Sequence, residues 1–270
     1  MIRPVVSPDN ESIKLAAALR QKKYRDDTGL FMVEGIRFVG EALASNWLIE
    51  YAIVVSDDLT DARIQSLTGR LTERGCPVLS VPATLYRKVS DTETPQGILA
   101  IVRQRPNLLT DWVPTGRSAL WVILDAIQDP GNVGTIIRSA DAVGADGVIL
   151  TPGCADLYAG KTTRATMGSL FHLPVVRAAT ADCLAFCERH GLSVFVAGAE
   201  AAEIYSETDL AASCAVVFGN EGLGVGEAFR RQAMRNIRIP ILGQSESLNV
   251  ASAAAVILFE AARQRGWTLS

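Results

Sequence analysis

The sequence predicts an α/β protein made of two successive blocks. Short apolar segments of strand length alternate with segments of helical periodicity throughout the chain. A polar stretch at residues 103–118 interrupts this alternation, and Pro106, Pro114 and Gly116 break any regular pattern in it. We therefore expect a first domain at residues 1–105, a linker at 106–117 and a second domain at 118–270.

The composition is that of a globular protein. The chain has 270 residues, of which 49% are hydrophobic and 20% charged, enough for two domains with cores of their own. Its first residues lack the long apolar core of a signal peptide, and the longest apolar run near its end, VASAAAVILFEAA, is too short to span a bilayer. We expect a cytoplasmic protein without a membrane segment.

The first block alternates helix and strand. Residues 9–24 are predicted to form a helix, with Asp9 or Asn10 as its cap. The following segments are strand LFMVE, a helix near 35–46, strand YAIVVS, a helix near 60–74, strand PVLSV, a short helix ATLYRKVS and strand ILAIVR. Four short strands packed by helices can bury one compact core.

The second block begins with ALWVILDAI, a continuous apolar run typical of a strand that is covered on both faces. The next predicted strands are GVILT, LPVV, SVFVAG, CAVVFG and NIRIP, and the last helix is predicted at 247–265. Because helices separate these strands, we expect a parallel sheet.

Three polar segments follow predicted strands of this second block. The first, DAIQDPGNVGTIIR, contains Asn132 and Arg138; the second, GNEGLGVGE, contains Glu221; the third, QSESLN, contains Ser247 and Asn249. Each alone has a structural explanation: a Pro-Gly-Asn turn, a tight glycine turn, and a helix cap at Ser247. Open α/β sheets, however, bind ligands at the carboxyl ends of their strands, so the three together indicate a site.

Two other kinds of site are disfavoured. The glycine-rich segment superficially resembles a dinucleotide fingerprint, but the strand after that motif ends in an acidic residue, and here it ends in Pro240. Cys183 and Cys187 lie four residues apart on a predicted helix, but a zinc site needs two more ligands, and His172 and His190 are the only histidines. We therefore expect no metal.

Taken together, the three segments resemble, in chain order, motifs 1, 2 and 3 of the SpoU family, also called the TrmH family. These are RNA ribose 2′-O-methyltransferases of the SPOUT superfamily. The intervening GKTTRATMGSLFHLPVV is also similar to that family. SPDNESIKLAAALRQKKYR followed by GLFMVEGIRFVGEAL resembles the small, ribosomal-protein-like RNA substrate-binding domain that precedes many of these enzymes.

The resemblance implies a fold, an assembly and a cofactor. The second domain would be a SPOUT methyltransferase domain with a trefoil knot. Two chains would form a homodimer, with each active site completed by the partner chain. S-adenosylmethionine would bind with its adenosine against Gly219, Ile239 and Leu248, which match the family's cofactor contacts.

The resemblance also implies catalytic roles. Arg138 would be the main catalytic residue, but a guanidinium with a pKa above about 12 is a poor base, so we expect it to orient a substrate phosphate that accepts the proton. Asn132 would position the ribose or support Arg138, and Glu221 would orient either of them. Ser247 and Asn249 would shape the substrate pocket.

The RNA contacts are predicted in the first block. The net charge of −3 does not itself indicate nucleic-acid binding, yet residues 1–25 carry six basic groups against two acidic ones. Lys14, Lys22, Lys23 and Arg25 are the candidates for phosphate contacts, although a solvated helix face explains them equally well. Ribosomal RNA is the favoured substrate. The alternatives are transfer RNA, a catalytically inactive RNA-binding protein of the same fold, and an unrelated α/β enzyme with a nucleotide cofactor.

Overall fold

A computed structural model describes residues 2–113 and 117–266. Residues 114–116 of the predicted linker, with Pro114 and Gly116, lie outside the described residues. The chain divides into two compact units. Unit 1 comprises Met1–Arg105 and Asp156–Phe171, and unit 2 comprises Pro106–Ala155 and His172–Ser270.

The strands and helices alternate through both units. The strands are β1 (Ile2–Pro4), β2 (Leu30–Glu34), β3 (Ile49–Val55), β4 (Val78–Val81), β5 (Ile98–Arg103), β6 (Leu120–Asp125), β7 (Gly147–Leu150), β8 (Val175–Arg177), β9 (Ser193–Ala197), β10 (Glu203–Ile204), β11 (Cys214–Gly219) and β12 (Arg235–Arg238). The α-helices are α1 (Glu11–Ala18), α2 (Lys22–Thr28), α3 (Ile36–Ala44), α4 (Ala62–Glu73), α5 (Ala83–Val89), α6 (Pro130–Ala142), α7 (Gly160–Thr166), α8 (Thr180–Arg189), α9 (Glu227–Gln232) and α10 (Val250–Gln264).

Unit 1 contains a mixed five-stranded sheet in the order β1-β4-β3-β5-β2. The four predicted strands are present, and β1 extends the sheet at one edge. The short exposed segment of β1 ends in Pro4, a residue suited to an edge because it donates no ladder hydrogen bond. Strand β5 runs antiparallel to both of its neighbours, whereas β1, β4 and β3 are mutually parallel.

The helix predicted at residues 9–24 is in fact two helices. The helix α1 ends at Ala18 and α2 begins at Lys22. At this break the carbonyl oxygens of Leu19 and Arg20 accept hydrogen bonds from Nη1 of Arg25, at 2.7 and 2.8 Å. A side chain thus satisfies carbonyls that a continuous helix would have paired internally.

Residues 156–171, which the sequence placed in the second domain, cluster with unit 1. Within this unit the ring of Phe31 lies 4.8 Å from that of Tyr158 and 5.9 Å from that of Trp47. Trp47 in turn packs edge-on against Phe171 at 5.3 Å. The segment therefore supplies part of the aromatic core of unit 1.

Unit 2 contains a seven-stranded sheet in the order β10-β12-β9-β11-β6-β7-β8, and every pairing in it is parallel. The parallel sheet expected from the sequence is confirmed. Strands β6 and β11 lie next to each other near its centre and are buried except at their last residues, Asp125 and Gly219. The polar loops that follow these strands therefore begin at one edge of the sheet.

The start of the last helix differs from the prediction. Helix α10 begins at Val250, and its cap is Asn249, whose Oδ1 accepts hydrogen bonds from the backbone N–H groups of Ala251 and Ser252. The expectation that Ser247 caps this helix is wrong. Ser247 lies two residues before the cap, in the loop that leads to it.

Candidate active site

The first and second polar segments leave the sheet side by side. Asp125 at the end of β6 and Gly219 at the end of β11 are partners in the parallel register. After β6, Asp129 caps α6 by accepting a hydrogen bond from the backbone N–H of Asn132, at 2.9 Å. This cap places Asn132 in the first turn of α6.

A hydrogen-bonded chain of three side chains joins all three polar segments. Nδ2 of Asn249 donates to Oδ1 of Asn132 at 3.1 Å, and Nδ2 of Asn132 donates to Oε1 of Glu221 at 2.5 Å. The bond to the carboxylate is charge-assisted and therefore among the stronger hydrogen bonds of proteins. Because Asn132 uses both ends of its amide, its orientation is fixed.

Asn220 holds the glycine-rich turn that presents Glu221. Its backbone N–H and C=O pair with those of Gly224, at 3.1 and 2.8 Å. Its side-chain Oδ1 accepts from the N–H groups of Gly222 and Leu223, and its Nδ2 donates to the carbonyl of Ala126 at 3.0 Å. Asn220 was not among the predicted site residues, although asparagine before a glycine-rich turn is a recognisable signal.

Asp125 ties the same turn to the neighbouring strand. Its carboxylate accepts from the backbone N–H of Gly226 at 2.7 Å and from the hydroxyl of Thr151 at 2.9 Å. The Thr151 hydroxyl oxygen also accepts from the N–H of Ala126, whose φ of 55° is left-handed and rare for a residue other than glycine. Such backbone strain persists where the surroundings impose it, often at functional sites.

A cavity of about 450 Å³ lies in unit 2 beside this chain of side chains. Its wall includes the predicted cofactor residues Gly219, Ile239 and Leu248, together with Glu221 and Asn249. Other residues of the wall are Gly198, Phe218, Ile237, Arg238, Ile241, Ser247, Val250, Ala253 and Ile257. The wall is thus mostly apolar, with polar groups where it meets the catalytic candidates.

Gly219 has no room for a side chain. A Cβ atom built on it would lie 2.3 Å from the carbonyl carbon of Gly224 and 2.3 Å from the nitrogen of Val225. The backbone of the glycine-rich turn therefore passes against Gly219 at a distance that only glycine permits.

Arg138 does not join the chain of side chains. It is exposed on α6, and within the described part of the protein it forms neither a hydrogen bond nor an ion pair. The structure thus brings together Asn132, Glu221 and Asn249 and leaves Arg138 apart. Ser247 lines the cavity beside them.

The four candidate RNA contacts of unit 1 differ in accessibility. Lys14, Lys22 and Lys23 are exposed, and the first two form ion pairs with Asp9 and Asp26. Arg25 is 5% exposed and is paired with Asp156 at 2.6 Å. Its guanidinium is committed to the interior of unit 1, which removes it from the RNA-binding candidates.

The cysteines have no catalytic surroundings. Cys183, Cys187 and Cys214 are buried, and burial raises the pKa of their thiols to about 12, 12 and 11. Among the described residues, no group of three or more His, Cys, Asp or Glu side chains is arranged to hold a metal ion. No described helix is long and apolar enough to cross a membrane.

Comparison with known proteins defines the class. Residues 119–259 match the model of the SpoU rRNA methylase family, and this region holds the parallel sheet and the three polar segments. Residues 10–100 match an MRM3-like substrate-binding domain. The chain belongs to the SpoU rRNA methylase family, so the family predicted from the sequence is confirmed.

Relatives of similar length and fold are known. The chain is 36% identical to the 23S rRNA (guanosine(2553)-2′-O)-methyltransferase RlmP of Bacillus subtilis, over 96% of this chain and 98% of that protein. A 23S rRNA (uridine(2479)-2′-O)-methyltransferase of Streptomyces viridochromogenes is 31% identical, over 92% and 88%. The crystal structure of an AdoMet-bound rRNA methyltransferase from Sinorhizobium meliloti has a TM-score of 0.88 and 35% identity, over 100% of this chain and 99% of that one. The knot and the homodimer stay predictions.

Proposed function

We propose that this protein methylates a ribose 2′-hydroxyl of ribosomal RNA, with S-adenosylmethionine as the methyl donor. The observation that carries the proposal is the Asn249–Asn132–Glu221 chain at the wall of the cavity. Membership of the SpoU family and relatives named as 23S rRNA 2′-O-methyltransferases support it. This set of polar side chains argues against an inactive RNA-binding protein of the same fold.

The cavity fits the proposed cofactor. Its volume of about 450 Å³ lies in the range of small-molecule sites. Ile239 and Leu248 offer apolar surface to an adenine ring, and Gly219 forms part of the same wall. When bound, S-adenosylmethionine supplies an electrophilic methyl group on a sulfonium whose leaving group is neutral.

The side chains around the cavity would act on the ribose hydroxyl. A hydroxyl is a weak nucleophile until its proton leaves, so it must be held in line and its developing charge stabilised. Glu221 fixes the Asn132 amide, which positions the ribose, while Ser247 and Asn249 shape the substrate pocket. Arg138 stays protonated and orients a substrate phosphate that accepts the proton.

A homodimer would bring Arg138 to this site. Helix α6 packs against α10, and the exposed side of α10 carries a stripe of residues at spacings of four, three and four. The stripe is Ser252, Val256, Phe259 and Arg263. Val256 and Phe259 are large apolar side chains that are 37% and 44% exposed. A second copy covering this face would bury them, and we propose that its Arg138 then completes the site of the first chain.

RNA would be held by unit 1. Lys14, Lys22 and Lys23 are exposed on α1 and α2, and Arg20 lies beside them and reaches the carbonyl of Lys88 on α5. A positive surface of this kind suits phosphate contacts and shape recognition. We propose residues 1–105, with which residues 156–171 cluster, as the RNA-binding domain, 106–117 as the linker and the remainder of 118–270 as the knotted methyltransferase domain. Because the proposed substrate is ribosomal RNA, we propose that the protein acts in the cytoplasm.

The test is methylation of ribosomal RNA in cells with and without this protein. Ribose methylations are mapped in both rRNA populations, and rRNA from the deletion strain is then treated with purified protein and labelled S-adenosylmethionine. We expect one ribose methylation to vanish in the deletion strain and to return in vitro. Identical maps, or label in tRNA alone, would contradict the proposal.

A further inference from the structure

A buried donor at the wall of the cavity lacks an acceptor. Nε of Arg238 is inaccessible to solvent and has no hydrogen-bond partner in the described part of the chain. Buried N–H groups in folded proteins are almost always paired, so an orphan next to a cavity indicates an acceptor that a ligand supplies. The other buried donor without a partner, Nε1 of Trp121, lies in the hydrophobic core beside Phe186 and is not part of the cavity wall.

The strand that carries Arg238 is held on both sides. Ile237 pairs with Ala197 of β9 and Glu203 of β10, and Arg238 itself pairs with Ile204 of β10. The backbone position of Arg238 is therefore set before a ligand binds, which lowers the entropy cost of binding. Arg235, three residues earlier on the same strand, differs: it pairs with Glu203 at 2.7 Å and is not part of the cavity wall.

We propose that Arg238 is a cofactor-binding residue whose Nε donates a hydrogen bond to the adenosyl portion of S-adenosylmethionine. The proposal rests on the proposed function. Phe218, Ile237 and Ile239 line the same cavity as Arg238 and form an apolar wall that suits an adenine. The amino-acid portion of the cofactor is a strongly hydrated zwitterion, which does not suit this apolar wall.

The test measures binding to the full chain without RNA, by calorimetry. The ligands are S-adenosylhomocysteine and 5′-methylthioadenosine, which lacks the amino-acid portion. For Arg238→Met we expect both dissociation constants to rise by about tenfold or more, because a charge-assisted hydrogen bond is lost. The matched control, Arg235→Met, is expected to bind both ligands within about twofold of wild type, since exposed ion pairs contribute little.

Thermal unfolding separates binding from structure. Without ligand, Arg238→Met should unfold at the wild-type temperature or higher, because methionine replaces an unpaired buried donor with an apolar group. The upward shift that S-adenosylhomocysteine produces should shrink. Arg238→Lys, which keeps the charge and lacks the Nε–H, serves as a second variant and should also bind more weakly.

Three results would overturn the assignment. They are wild-type affinities in both Arg238 variants, weaker binding of S-adenosylhomocysteine with unchanged binding of 5′-methylthioadenosine, and a lower unfolding temperature of the ligand-free Arg238 variants. A wild-type protein that binds neither nucleoside would refute the proposed function itself, which distinguishes the two failures.

Discussion

Asn132 and Glu221 are 89 residues apart in the chain, and yet the amide of Asn132 donates to the Glu221 carboxylate at 2.5 Å. We expect Glu221→Gln to retain an acceptor for this bond and to lose its charge, which lowers the rate of methyl transfer by about tenfold. Glu221→Ala should lower it further. Single-turnover methylation at saturating cofactor measures the rate, and a wild-type rate in both variants would exclude Glu221 from the mechanism.

Asn249 has two functions that one substitution can separate. Its Oδ1 caps α10, and its Nδ2 donates to Asn132. Aspartate is as good a cap as asparagine, so Asn249→Asp should keep the stability to within about 0.5 kcal/mol while it loses the donor and most of the activity. Asn249→Ala should lose activity and also about 1 kcal/mol of stability. Chemical denaturation and methylation assays measure both effects, and full activity of Asn249→Asp would contradict the role of the donor.

Mixed dimers test whether Arg138 acts across subunits. Arg138→Ala and Glu221→Ala chains should each be inactive alone. If the site combines Glu221 of one chain with Arg138 of the other, a mixed dimer contains one complete site, so co-expressed chains with different tags should recover activity. The control is a mixture of Arg138→Ala chains only. Purified heterodimers without activity would place Arg138 in the same site as its own Glu221.

Gly219 should not tolerate alanine. The new Cβ would lie 2.3 Å from the backbone of the glycine-rich turn, and relief of this clash would cost about 1–3 kcal/mol and displace Glu221. Gly243→Ala is the control, because a Cβ there meets no atom within 4 Å. The free energy of unfolding and the affinity for S-adenosylhomocysteine should both be lower in Gly219→Ala and unchanged in Gly243→Ala. Equal stability and equal affinity of the two variants would show that the glycine-rich turn can move to make room for the new side chain.

The buried thiols should make the fold sensitive to alkali. Burial raises the pKa of Cys183 and Cys187 from 9.0 to about 12. A pKa raised by folding stabilises the protein below the unfolded value, and this stabilisation is lost as the pH rises from about 9 towards 12. The free energy of unfolding should fall across that range, and less so in Cys183→Ala/Cys187→Ala. At pH 8 a thiol reagent should modify these cysteines only after unfolding, and rapid modification of the folded protein would contradict their burial.

The sequence correctly predicted those parts of the molecule that are determined by residues close together in the chain. The continuous apolar runs at β6 and β11 and the alternation of strands with helices led to the parallel sheet. The polar residues of three strand-end loops, together with the resemblance to the SpoU family, led to Asn132, Glu221 and Asn249, which the structure joins, and also to Ser247 and Arg138, which do not take part in that chain.

The predictions from the sequence were wrong where contacts between residues far apart in the chain determine the structure. Arg25 bonds the carbonyls at the break between α1 and α2, and the same buried guanidinium is paired with Asp156, which is 131 residues away. Asn249, and not Ser247, caps α10. Both residue types can cap a helix, but the loop places Asn249 directly before the first turn. The bridging roles of Asp125 and Asn220 likewise depend on partners 101 and 94 residues away, which local patterns do not reveal.

The chain enters unit 1 twice, at Met1–Arg105 and again at Asp156–Phe171. A truncated protein that starts at residue 106 would contain Asp156 without Arg25 and would leave Tyr158 and Phe171 without their aromatic neighbours. A chimera that exchanges the amino-terminal module between relatives must therefore transfer both stretches. The two stretches must therefore stay compatible with each other, although separated parts of the gene encode them.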